Sequence, residues 1–245
     1  MAHVRVRRVL LAGLLLLALA LGAGSGYYAG DYFDSPEPTA SGSAGPLGDV
    51  SPSPTPTPTP TEPSLPVKTP VPSTVEPLET GLDYTNHTFT VTPKDAEPVQ
   101  LSIETPQGWK IAPRDPKRPG EVKYLDKLRE RGVRVEAVAP AAQSPAAEMA
   151  QLIVDLKKSQ PPENDVRIAS DTTDVITGDD GESRSVATLI YTFIPGETLR
   201  YVIVRWVAIN GALTNVEMSI TGLPQDAHAL DEVLQRATAS VSEVG

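Results

Sequence analysis

Few residues of this chain are of a type and spacing that could do chemistry. There are three histidines, His3, His87 and His228, far apart in sequence and outside any His-x-x-His or Glu-x-x-His pattern. That spacing argues against a zinc centre and against histidine-based acid–base catalysis. Serines are plentiful, but no Gly-x-Ser-x-Gly elbow and no glycine-rich phosphate loop is present. Gly178-Asp179-Asp180-Gly181, with Asp171, Asp174 and Glu182 nearby, offers carboxylates to calcium but lacks EF-hand spacing. Asp-Gly is also what a tight turn prefers on backbone grounds. No metal, no cofactor and no catalytic residue is expected.

Charge offers more. Residues 110–134 hold nine lysines and arginines against four acids. Arg114, Lys117, Arg118, Lys123, Arg129 and Arg131 are the candidate contacts to a partner or an anionic envelope polymer. Residues 155–182 mirror them, with eight acids against three bases. Arg205 is the odd residue of the apolar run YVIVRWVAI and must find an acceptor there. It reads as an anion anchor or as a structural arginine whose stem packs while its head reaches outward. Trp109 reads as a core anchor rather than an exposed stacking platform.

These residues must be carried by elements, and the chain divides into four segments. Residues 1–8 are a basic stub with Arg5, Arg7 and Arg8. Residues 9–30 are uncharged, and at about 1.5 Å per residue they reach roughly 33 Å, enough to cross a membrane as a signal-anchor. The arginines before the span and Asp31 and Asp34 after it place the N-terminus in the cytoplasm and the C-terminal domain outside. A cleaved signal peptide is the competing reading, since Val9 to Leu21 suits an h-region and Ala18-Leu19-Ala20 or Ala23-Gly24-Ser25 could be cut. Ala18, Gly22, Gly26 and Gly30 recur every fourth residue, a ridge that could bring two such helices together as a weak homodimer.

Residues 31–81 hold about half of the chain's 25 prolines. Proline fixes φ and donates no hydrogen bond, so this stretch reads as a disordered, extended stalk with threonines open to O-glycosylation. At about 3.1 Å per residue its proline-rich part reaches on the order of 100 Å. The chain has no cysteine, which excludes disulfides, thiolate metal sites and a lipid-modified cysteine. Net charge is −10, which argues against nucleic acid as a partner.

Residues 82–245 read as one extracytoplasmic domain. Alternation predicts strands at 87–92, 99–104 and 133–138. Ser144-Pro145 opens a helix whose Met149, Leu152, Ile153 and Leu156 share a face, and Pro161-Pro162 stops it. Strands follow at 166–177, 186–194, 201–209 and 213–221, then a helix from about Pro224 with Leu230, Val233, Leu234 and Ala237 inward. Asn210-Gly211 predicts a two-residue hairpin that sets Arg205 opposite Val216. The strand YVIVRWVAI is apolar on both faces, so it lies centrally and is covered on both. The fold class is α+β: a mainly antiparallel sheet with helices on both faces, a three-layer α/β/α sandwich.

That order of elements, with the turn Pro106-Gln107-Gly108-Trp109, resembles the PsbP-like α/β/α sandwich superfamily. Within it the chain is similar to actinobacterial LpqN/LpqT-type surface proteins, without their anchoring cysteine. The resemblance implies an accessory or partner-binding role and brings no site residues. The expected function is therefore a membrane-tethered, non-catalytic domain that contacts a membrane protein or an envelope component. A small-ligand sensor and a cell-envelope hydrolase are the rivals.

Overall fold

The computed structural model describes residues 66–244. The proposed membrane span, the Ala18–Gly30 ridge and most of the stalk lie outside the described residues. Among the described residues no helix is long and apolar enough to cross a membrane.

Seven strands form one antiparallel sheet in the order β3-β4-β5-β9-β8-β7-β6. They are β3 (Lys110–Ile111), β4 (Glu121–Leu125), β5 (Gly132–Ala137), β6 (Arg167–Thr177), β7 (Ser183–Phe193), β8 (Arg200–Ala208) and β9 (Val216–Gly222). A smaller sheet has the order β1-β2-β10, from Tyr84–Val91, Val99–Pro106 and Ser242–Glu243. The early strands therefore leave the main sheet and build a second one.

β8 lies inside the sheet, as its two apolar faces require. Its Val202, Val204 and Trp206 pack under helix α1 (Pro145–Ser159) with Met149, Leu152 and Leu156. Its Ile203 and Val207 face helix α2 (Ala227–Ser240) and a larger core with Leu101, Ile103 and Trp109. The helices thus lie on opposite faces of an α+β fold, and α2 shares its face with the small sheet. Trp109 is a core residue, and Gly108 before it adopts φ +85°, a conformation that disfavours any side chain.

Helix α1 starts where the sequence places it. The Ser144 hydroxyl accepts from the N–H of Ala147 at 3.4 Å and Pro145 fills the first turn. Lys157 and Lys158 stand in the last turn, where cations suit the helix dipole.

Two expectations need correction. Asn210-Gly211 does not close a two-residue hairpin: β8 ends at Ala208 and β9 begins at Val216. The Asn215 carboxamide oxygen accepts from the N–H of Asn210 at 3.1 Å, and Thr214 N–H bonds Gln143 O at 2.8 Å. These bonds hold a wider loop, so Arg205 stands opposite Met218 rather than Val216. The folded part also begins before residue 82. Residues 66–81, read as stalk, lie on the domain through Lys68 N–H to Glu163 O, Val71 N–H to Glu197 O and Leu78 N–H to Asp226 Oδ1.

Candidate functional site

The strongest departure from an apolar interior lies on the α1 face of the sheet, beyond the strands that α1 covers. Alternation in β5 puts Arg134 and Glu136 on one face. Register then sets Glu136 opposite Glu121 of β4 and opposite Glu217 of β9, with Trp206 of β8 next in the row. Three glutamates side by side across a sheet repel one another. The guanidinium of Arg134, 1% exposed, resolves the conflict. It pairs with Glu136 at 2.6 Å and Glu121 at 3.5 Å, and donates to Glu217. Trp206 Nε1–H donates to the other oxygen of Glu217 at 3.0 Å.

The surroundings shift the protons. Burial pushes the Glu136 carboxyl up to about 7; Arg134 opposes this, while Glu217 and Glu121 add to it. Burial also raises the Tyr191 phenol, which feels both Arg134 and Glu217. Arg134 Nε, Tyr191 Oη, Ser219 Oγ and Thr221 Oγ1 are buried without a hydrogen-bond partner among the described residues. Hydrolysis by paired carboxylates needs one acid and one free base. Here Arg134 contacts all three carboxylates and Lys123 and Arg118 add to Glu121, so the acids are matched by cations and none is left as a free base.

The basic segment is dispersed rather than gathered. Arg131 is buried and is corrected from a partner contact to a structural clasp. Its Nε donates to Asp226 Oδ2 at 2.8 Å, and its Nη2 donates to Asp226 Oδ1 at 2.9 Å and to Glu76 O at 2.5 Å. Lys123 and Arg118 both approach Glu121, at 2.9 and 3.8 Å. Arg114 is exposed and donates to Thr90 O at 2.7 Å. Lys117 and Arg129 are exposed, and Arg129 takes a left-handed turn conformation at φ 61°. Arg114 and Lys117 precede β4 while Arg129 follows it, so the exposed cations flank the two ends of a strand about 15 Å long.

Arg205 is buried on the α2 face. Its Nε donates to Thr188 Oγ1 at 2.9 Å, and its Nη1 donates to Thr238 Oγ1 at 3.1 Å and Gln235 Oε1 at 3.3 Å. Burial lowers its affinity for the proton, and Asp231 and Asp174 offset part of that. All its bonded acceptors are neutral side chains, the arrangement of a structural arginine.

His87 stacks on Tyr124 with ring centroids 4.5 Å apart, and burial lowers its pKa. His228 is exposed on α2. In the GDDG turn Asp180 pairs with Arg184 at 2.5 Å.

The glutamate row escaped the sequence reading. Its signal was Arg-x-Glu within a strand, which fixes both on one face. Its partners come from two other strands and meet only through register.

No family model matches the chain, and no curated protein matches it. Among the solved structures similar to it are two that differ in source. One is LpqN of Mycobacterium tuberculosis, involved in cell envelope biogenesis: 15% identity, TM-score 0.41, covering 65% of this chain and 92% of that one. The other is PA94 of Pseudomonas aeruginosa, a protein of unknown function: 14% identity, TM-score 0.34, covering 62% and 93%. Neither likeness assigns a site residue or an activity to this chain.

Proposed function

We propose that the chain is a membrane-tethered, extracytoplasmic domain that holds a partner protein or an envelope component and does not turn over a substrate. The clasp on residues 66–81 carries this reading. A buried pair, Arg131 with Asp226, reaches out to Glu76 O and Leu78 N–H. Lys68 Nζ adds a bond to Asn164 Oδ1 at 2.6 Å. A chain segment bound this firmly sets where a tether leaves the domain. That suits a module whose work is presentation. The groups that catalysis would use are otherwise engaged: the glutamates by Arg134, and His87 by the Tyr124 ring.

Crosslinking of the full chain in native membranes, read by mass spectrometry, tests this. The expected result is a chain that retains residues 1–30 and is joined to a defined partner through residues beyond 66. A mature chain starting near Leu21 or Gly26, or crosslinks no more frequent than those of an unrelated tethered domain, overturns it.

A further inference from the structure

We infer that the outer edge of β6 accepts an extended, lysine- or arginine-bearing peptide as an additional strand of the main sheet. β6 is eleven residues long and ends the strand order, so one of its sides is paired with β7. All its residues but Ser170 and Ile176 are exposed. The hairpin fixes which backbone groups face outward. Gly178 N–H bonds Glu182 O at 2.9 Å, so the alternation of an antiparallel ladder turns the N–H groups of Thr177, Val175, Thr173 and Asp171 away from β7. The bond from Val175 N–H to the Asp174 carboxylate, 2.7 Å, agrees with this.

An open edge of this length is a template for strand addition. Its side chains say what would add. Val175, 64% exposed, stands on the α1 side. There a groove of about 530 Å³ runs along Thr173, Val175 and Ser185 to Pro145 and Ala212. Asp174 points to the opposite face, and Asp171 lies on the α1 side. Among the described residues neither aspartate is in an ion pair. An incoming strand with apolar residues on one face and cations on the other would cover Val175 and neutralise Asp174. A second copy of β6 fits worse, because two-fold pairing brings the aspartates of both copies together.

The inference rests on the binding reading above but not on the membrane anchor. The test uses the full chain in detergent and a short peptide alternating lysine with valine. The expected result is saturable binding with slowed hydrogen exchange at the amides of Asp171, Thr173 and Thr177. Methylating alternate peptide nitrogens should abolish binding, because charge is kept and strand pairing is lost. Reversing the aspartate on the cation-facing side, D174K, should weaken binding roughly tenfold or more, as loss of charge complementarity at a strand-addition site would. Equal binding by the methylated peptide, equal binding by the glutamate–valine counterpart, or self-pairing of β6 with no peptide binding would each overturn it. If the peptide fails while membrane crosslinks persist, the partner uses another surface and the binding reading stands.

Discussion

Arg134 holds a position no solvated arginine could. It lies opposite Ser219 in the sheet with glutamates from three strands around it. Removing such a cation leaves buried Glu121 and half-buried Glu136 and Glu217 facing one another. Arg134→Met should therefore destabilise the fold by about 3–5 kcal/mol, read from urea unfolding. A loss near zero would mean that the glutamates reach water. Glu136 makes the same cluster sensitive to pH. Its folded pKa, about 7, lies above the ordinary 4.5, so the folded state holds the proton more tightly than the unfolded chain. The resulting stability is complete below the lower value and is lost as pH rises through the upper one. Glu136→Gln should flatten that part of the stability profile. An unchanged profile would place the titrating group elsewhere.

At the scale of elements, a second buried arginine joins a hairpin to a helix end. Arg184, on β7, donates from Nη1 to the carbonyls of Thr238, Ala239 and Val241 at 3.1, 3.3 and 2.6 Å. The first two are carbonyls of the last turn of α2 and the third belongs to the residue that caps it, where a cation is favoured. Its Nη2 takes Asp180 in the β6–β7 turn. The GDDG turn that read as a possible calcium loop thus serves an arginine cap. Arg184→Met should cost about 3 kcal/mol and raise hydrogen exchange first in the final turn of α2. Exchange that rises evenly over the domain would argue against a cap.

Local signals explain what the sequence disclosed. Ser144-Pro145, the period of α1 and α2 and the two apolar faces of β8 act within a few residues. What stayed hidden depends on distant partners. The Asn210-Gly211 turn is widened by bonds from Asn215 and Gln143. Arg131 finds Asp226 across 95 positions, and Glu217 meets Glu136 only once β5 and β9 pair. A run of cations such as 110–134 carries no local sign of which of them are buried, yet Arg134 is fully buried and Arg131 nearly so.

At the scale of the whole chain, the question is where the proline-rich segment ends and the folded domain begins. The proline-rich stretch alone marks no such boundary, because proline composition continues past Pro66 into the bound segment. Hydrogen bonding marks it instead. Glu76 O and Leu78 N–H close on Arg131 and Asp226, Gly81 N–H reaches Glu232 at 2.8 Å, and Leu78 packs on the main core. A chain that starts at residue 82 loses these bonds and opens the Arg131–Asp226 pair to water. One that starts at residue 66 keeps them. The shorter chain should be less stable by about 2–4 kcal/mol, from several hydrogen bonds and one partly buried leucine. Urea unfolding of the two proteins side by side measures the difference. If their midpoints coincide, residues 66–81 rest on the domain without holding it, and the stable unit would then begin near residue 82.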